Sequence, residues 1–215
     1  MTPPAGVLPV RQHSYGEDGV SLVDRLGVSL SRRAIDRALG ARRGLALLDL
    51  GCGYRATLLR ALASRLDHGV GVDVRVAPEV KEIDRFRFLE TTIELGLPVL
   101  VGASFDVILL ISVLEHLSDP LAALEHCRRL ARPGAVILIN VPTWLGKAFL
   151  EFSAFRLGTS PAAEMDDHKM YYAKRDLWPV LVRAGFRPSR IRLKYHKFGL
   201  NLFATVRTSD HGSRS

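Results

Sequence analysis

The chain has 215 residues, 47% of them hydrophobic and 24% charged, with two cysteines and a formal net charge of +8. This balance suits a globular chain with a sizeable core and excludes wholesale disorder, a collagen-like fibre and a disulfide scaffold. The longest apolar runs, such as 107–111 and 135–139, fall far short of the ~18 residues of a membrane-crossing helix.

Pro3, Pro4 and Pro9 stand where a secretory leader would carry its apolar core, so none is expected. Cys52 and Cys127 lack the close pairing of a zinc site, and the expectation is a reduced, cytoplasmic chain. The charge is uneven: residues 1–44 carry +3, 45–168 carry −4 and 169–215 carry +9. A basic C-terminal part attracts anionic partners or is simply a solvated face.

In chain order, residues 1–18 are polar and proline-rich, as in a loose arm. From 20 to 39 the spacing of Leu22, Val23, Leu26, Leu30, Ile35 and Leu39 predicts one or two amphipathic helices ending near Gly40. Residues 45–50 are a buried-strand run closed by Gly51, and 57–66 read as a helix. Strands are predicted at 69–74, 86–90, 105–111 and 135–141, with a helix over 121–130 started by Ser118-Asp119-Pro120 and stopped by Pro133-Gly134. The segment 142–168 breaks the rhythm and contains an apolar stretch from Trp144 to Leu157. A helix over 173–184 and two hairpin-like strands at 191–195 and 200–207 complete the chain. Apolar strands alternating with helices indicate an α/β fold with a mostly parallel sheet covered on both faces.

The segment Leu47-Leu48-Asp49-Leu50-Gly51-Cys52-Gly53-Tyr54 is a glycine turn leading from a strand into a helix. Glycine lets a backbone approach a ligand closely, and parallel sheets bind ligands at the carboxyl ends of their strands. Asp73, twenty-two residues after Gly51, ends the second strand, where a carboxylate can accept both hydroxyls of a ribose. Gly51-Cys52-Gly53-Tyr54-Arg55-Ala56 also matches a loose dinucleotide fingerprint. Asp49 separates the two cofactor classes. A pyrophosphate beside it would meet a like charge, a repulsion of several kcal/mol at an effective dielectric of ~20. S-adenosyl-L-methionine brings an ammonium and a sulfonium instead.

On these residues the chain resembles the class I S-adenosylmethionine-dependent methyltransferases of small-molecule type, over roughly residues 42–207. The resemblance rests on 47–53, Asp73, the run from Phe105 through Glu115-His116 to Pro120, and Leu130–Val141 with its Arg132-Pro133-Gly134-Ala135 step. It implies a Rossmann-like, seven-stranded, mostly parallel sheet with a reversed last strand. It also implies that Gly51 and Gly53, with Cys52 between them, line the methionine part of the cofactor. Asp49 would hold the amino group, Asp73 the ribose diol, and Val74 would lie beside the adenine. Thr92-Ile93 falls where many relatives carry Asp before an apolar residue, so the Thr92 hydroxyl or backbone must serve the adenine amine. Ser112 and Val113 would close the pocket floor. Arg55 stands where relatives often carry a third glycine, so its side chain must leave the turn.

Each of these residues also has a structural reading. Cys52 suits a buried space-filler better than a nucleophile. His116 is the candidate catalytic base, with capping and packing of its turn as the favoured alternative. Asp166-Asp167-His168 lacks a third clustered ligand, so no metal is expected. Tyr171 and Tyr172 read as helix-start packing. The stretch 144–157 reads as a buried helix, as a lid bearing Trp144, Phe149, Phe152 and Phe155, or as a lipid-docking element. Arg190, Arg192 and Lys194 alternate with Ile191, Leu193 and Tyr195, predicting one basic and one buried strand face.

The expected organisation is an arm and helices covering the pocket (1–43), the methyltransferase domain (44–208) with a lid-like insertion (142–168), and a disordered tail (209–215). The expected function is methyl transfer to a small or medium-sized acceptor, with oxygen as the first choice of acceptor atom. The partner is then a small molecule, with amphiphilic or anionic character and peripheral membrane contact both admitted by the composition. The rival readings are an NAD(P)-dependent oxidoreductase, an RNA methyltransferase and a non-catalytic protein of the same fold. The RNA reading is disfavoured by the absence of an aromatic-rich RNA-binding sequence set.

Overall fold

The computed structural model describes residues 14–16, 22–152 and 170–209. The expectations for the rest of the arm, for Phe155, for Asp166-Asp167-His168 and for the tail from 210 fall outside these residues.

Short apolar runs that must bury both faces associate side by side, and here they form a seven-stranded sheet in the order β3-β2-β1-β4-β5-β7-β6. The strands are β1 (Leu45–Leu50), β2 (Leu66–Asp73), β3 (Phe86–Glu90), β4 (Phe105–Ile111), β5 (Ala131–Pro142), β6 (Ile191–His196) and β7 (Asn201–Arg207). All pairs are parallel except those made by β7, which runs antiparallel between β5 and β6. The reversed last strand is as expected.

The α-helices among the described residues are α1 (Leu22–Leu39), α2 (Thr57–Ala61), α3 (Pro78–Lys81), α4 (Ile93–Val99), α5 (Pro120–Leu130), α6 (Trp144–Phe152) and α7 (Lys174–Arg183). Because successive strand residues face opposite ways, β1 feeds two cores. Leu45 and Leu47 pack with Ile35 and Leu39 of α1 and Leu58 and Leu59 of α2. Ala46, Leu48 and Leu50 pack with Leu97 of α4, Leu124 of α5 and Leu177 and Leu181 of α7. Each fully buried leucine contributes roughly 1.5–3 kcal/mol.

Three elements differ from their sequence expectation. The helix expected over 57–66 ends at Ala61, a 3-10 turn covers Ala63–Arg65, and Leu66 already pairs with Leu45 of β1. The polar pair Asp67 and His68 hides the start of β2 from an apolar-run reading. β5 begins at Ala131, which pairs with Phe105 before the chain loops out; pairing resumes at Val107–Val136. Arg132 anchors that loop by donating to Asp106 (2.7 Å) and Ser104 (3.2 Å), while Asp106 also accepts from the Ala46 N–H (2.9 Å). The short helices α3 and α4 have no periodic pattern long enough to predict.

The stretch from Trp144 is not a fully buried helix. Thr143 N donates to the Leu200 carbonyl (2.9 Å) and Thr143 Oγ1 to the Gly199 carbonyl (2.7 Å), docking the start of α6 on the β6–β7 turn. Trp144, Leu145 and Phe149 remain exposed. On β6 the expected basic face is exposed at Arg192 and Lys194, but Tyr195 is exposed as well, because β6 is an edge strand. Tyr172 is fully buried in the core, in line with packing.

Gly146 makes the α6 dock testable: an added Cβ would lie 2.2 Å from the Leu200 carbonyl oxygen. Gly146→Ala is expected to lower unfolding stability by about 1–3 kcal/mol, the range for overpacking. In Gly27→Ala the new methyl would meet only the end of the Lys197 side chain, at 3.5 Å. That helix-interior change is expected to raise stability by about 0.5–1 kcal/mol. Denaturant titration of both variants checks the pair.

Candidate active site

The carboxyl ends of β1, β2, β4 and β5 lie along one sheet edge, and the sequence-predicted residues converge there. Asp49 is buried in β1. Gly51 and Gly53 follow with φ of +70° and +76°, a region that side chains with a Cβ rarely occupy. Their lack of side chains is also spatially required. A Cβ on Gly51 would come 2.4 Å from Val113 Cγ2 and 4.0 Å from Ile93 Cδ1, and one on Gly53 would come 3.2 Å from the Tyr15 carbonyl. The turn is therefore packed between Val113 and Ile93 at one glycine and the N-terminal arm at the other. The arm is tied on by Tyr54 N donating to the Tyr15 carbonyl (2.9 Å).

Asp73 holds the turn from β2. Its Oδ2 accepts from Gly53 N (2.8 Å) and its Oδ1 from Val74 N (2.8 Å). Charge-assisted bonds of this kind contribute about 1.5–3 kcal/mol each. A carboxylate has about four acceptor positions, so two used in this way leave others for hydroxyl donors. Arg55 is exposed, as its place in the turn demands. The third left-handed residue is instead Ala56, with φ of +43°.

Thr92 caps α4: its Oγ1 accepts from Leu95 N (3.4 Å). The hydroxyl keeps its own donor and a second acceptor position, while the Thr92 carbonyl accepts from Gly96 N (2.9 Å). Ile93 begins that helix. Ser112 has φ of +57° and donates its N–H to the Asn140 carbonyl (2.8 Å), so β4 turns sharply after Ile111. His116 ends the 3-10 turn Leu114–His116, with its N–H on the Val113 carbonyl (2.9 Å). It is half-buried at the end of that turn.

Asn140 was not among the residues singled out from the sequence. It is fully buried in β5, and neither atom of its amide has a partner. Its strand neighbours are Ile111 and Phe203, and Phe203 belongs to the core beneath α1. Ser31 Oγ of α1 is likewise buried and unpartnered. The signal was present in the sequence: Asn140 is the one polar side chain in the run 135–141.

Asp49 Oδ2 is also buried without a partner. Burial, and secondarily the charge of Asp73, push its carboxyl up to about 8. An unpartnered buried carboxylate is costly and becomes favourable only when a cation meets it. An ammonium-bearing ligand suits this site and a pyrophosphate does not, so the donor set fits S-adenosyl-L-methionine. Burial and the Asp49 and Asp73 charges push the Cys52 thiol far upward, which rules out a thiolate nucleophile near neutral pH. Among the described residues no cluster of three or more His, Cys, Asp or Glu side chains could hold a metal.

The Asp49 carboxyl keeps its proton to about 8 in the folded chain, against ~3.9 when unfolded. Between those values the folded state binds more protons, so this group lowers stability as pH rises through the window. Asn at this position has no such proton to lose. The Tm of Asp49→Asn relative to wild type is therefore expected to rise steadily from pH 4 to pH 8, as followed by thermal melts. A constant difference would mean that Asp49 is ionised in the folded protein.

The methyltransferase-domain family matches residues 27–189. A ubiquinone biosynthesis O-methyltransferase from Hahella chejuensis is 35% identical over 116 residues, covering 50% of this chain and 47% of that protein. One from Xanthomonas campestris is 26% identical over 159 residues, covering 70% and 64%. The chain thus spans about half to two thirds of the length of these curated relatives. Among solved structures, a Burkholderia thailandensis 1,6-didemethyltoxoflavin N1-methyltransferase, with 1,6-didemethyltoxoflavin and S-adenosylhomocysteine bound, superposes with a TM-score of 0.63 at 20% identity, covering 87% of this chain and 80% of that one. A SAM-dependent methyltransferase from Archaeoglobus fulgidus gives 0.63 at 15% identity, covering 86% and 94%. These two share the fold. With a family match over residues 27–189, more than half of its length, the chain belongs to the family of class I S-adenosylmethionine-dependent methyltransferases.

Proposed function

We propose that this protein methylates an oxygen atom of a small or medium-sized, partly apolar acceptor. The observation that carries the cofactor half of this reading is the buried, unpartnered Asp49 carboxylate oxygen beside a glycine turn clamped by Asp73. S-adenosyl-L-methionine supplies a methyl group already activated by its sulfonium leaving group.

What the chain must add is position. Asp49 takes up the amino group, directly or through water, and gives up its own proton as the cation arrives. Asp73 accepts the ribose hydroxyls with the lone pairs that Gly53 and Val74 leave. Gly51, Cys52 and Gly53 present backbone to the methionine part. Val74, Thr92 and Ile93 border the adenine, and Ser112 and Val113 close the floor. Holding two reactants in line can supply ~7–11 kcal/mol of the barrier.

The choice of oxygen is supported by the likeness to ubiquinone biosynthesis O-methyltransferases. A hydroxyl acceptor needs a base, and His116 is the candidate, at the end of the turn after β4. Asn140 supports a polar contact on the acceptor side, because its amide can both donate and accept. The segment from Pro142 starts at the same sheet edge and brings Trp144 and Phe149 to the surface, in keeping with a lid over an apolar part of the acceptor.

Asp73→Ala is expected to weaken S-adenosylhomocysteine binding by about 1.5–3 kcal/mol in calorimetry. At pH 7, wild-type binding should release a proton to buffer and Asp49→Asn should release none; equal proton release would remove Asp49 from the ammonium site. Transfer of labelled methyl to a panel of phenols, catechols and aryl amines tests the acceptor. Product on hydroxyls is expected, and product on amines alone would overturn the oxygen reading. Trp144→Ala combined with Phe149→Ala should lower acceptor turnover while cofactor affinity stays within about threefold, ~0.6 kcal/mol.

A further inference from the structure

The carboxyl edge of the sheet carries a protruding apolar surface that the cofactor site does not use. It is built from two elements fastened together. α6 begins on Thr143, which bonds the Gly199 and Leu200 carbonyls of the β6–β7 turn. A Cβ on Gly199 would lie 3.4 Å from Leu145 Cδ2, so the turn and the helix touch. β6 runs parallel to β5, because both are antiparallel to β7. The turn after β6 therefore lies at the same edge as the ends of β1, β4 and β5.

The tip of that turn is Phe198, which is 92% exposed. Lys197 and Phe198 both have positive φ, +49° and +60°. Left-handed backbone costs roughly 1–2 kcal/mol per non-glycine residue, and here it holds a phenyl ring out in water. Trp144, Leu145 and Phe149 continue the surface, each about half exposed.

Cations border it. Lys147 lies over the Tyr171 ring at 6.0 Å and Lys174 over Tyr195 at 4.9 Å. Lys194 and Arg192 are exposed on β6. The nearby acid Asp176 accepts from the Ala173 backbone N–H, capping α7. The C-terminal part of the chain carries +9 over residues 169–215.

We propose that this surface docks on an anionic lipid bilayer, with Phe198, Leu145 and Trp144 entering the interface and the lysines meeting headgroups. Protruding apolar and aromatic side chains ringed by cations match the bilayer boundary, where Trp sits at headgroup depth and Phe and Leu among acyl chains. Each basic side chain near an anionic leaflet adds attraction that falls off within a Debye length. Nucleic acid would ask for a flat stacking platform in a basic groove, whereas these side chains form a ridge. Docking here turns the sheet edge that carries the cofactor site toward the membrane. This inference does not depend on which acceptor is methylated.

The test is co-sedimentation of the full chain with vesicles, scored without any turnover. Phosphatidylcholine vesicles containing about one third phosphatidylglycerol should bind the protein at least about tenfold more strongly than pure phosphatidylcholine, and raised salt should weaken the binding. Phe198→Asn keeps a residue tolerant of positive φ and, with Leu145→Ser, should reduce partitioning about tenfold. Both variants should still bind S-adenosylhomocysteine as wild type does, which shows that they are folded. No binding to anionic vesicles, equal binding to both vesicle types, unchanged partitioning of the variants, or retention by homopolymeric RNA in place of vesicles would each overturn the proposal.

Discussion

The Asp73 carboxylate is the constraint on which the site depends. With one oxygen on Gly53 N and the other on Val74 N, it fixes the glycine turn of one strand against the end of the next. That grip keeps Gly51 and Gly53 in their left-handed conformation and lets Val113 close over the first of them and Tyr15 over the second. Asp73 also stands near Asp49, and its charge adds to the burial that keeps the Asp49 proton in place. A single carboxylate thus sets both the shape of the turn and the electrostatics of the pocket. The backbone supplies the donors and the side chain the charge.

The sheet supplies the second level of control. Parallel pairing of β1 with both β2 and β4 places their carboxyl ends at one edge, and antiparallel insertion of β7 beside β5 extends that edge toward the basic end of the chain. The Arg132–Asp106 pair holds the opposite edge of the sheet, at the irregular start of β5. The two edges are built for different tasks. One is anchored by an ion pair and paired backbone, while the other keeps buried polar atoms on Asp49, Asn140 and Ser31 without partners. Proteins rarely leave such groups unsatisfied, and these three lie beneath α1 or beside the glycine turn, where a polar ligand would meet them.

The chemistry assigned to this edge asks little of the side chains as acids or nucleophiles. Cys52 is removed from nucleophilic chemistry by its burial and by its two acidic neighbours. His116, at the end of its turn, is the proposed base for a hydroxyl acceptor. What remains is shape and charge at fixed positions, which is what displacement at an already activated methyl group requires. Family membership and fold agree with that economy, since the same sheet carries different acceptors in its neighbours.

Much of this was legible in the linear sequence because it is local. The strand run 105–111 buries both faces and needs no partner to be recognised, and it and the edge strand 86–90 match the structure to the residue. The Gly51-Cys52-Gly53 turn and Asp73 could be paired from spacing, because a βαβ unit brings the ends of consecutive parallel strands together. Other features came only with the tertiary structure. Leu66 joins β2 because Leu45 pairs with it, although Asp67 and His68 look like loop. Asn140 reads as an ordinary strand residue until its neighbours prove to be Ile111 and Phe203, neither of which offers its amide a bond. The helix from Trp144 is apolar enough for a core, but the β6–β7 turn takes its first residues and leaves its aromatic side chains outside. The sequence by itself determined the local backbone choices and the identity of the charged groups. Which polar groups stay buried without partners, and which apolar ones stay exposed, was decided by contacts between segments tens of residues apart, because satisfaction and burial are properties of neighbours in space.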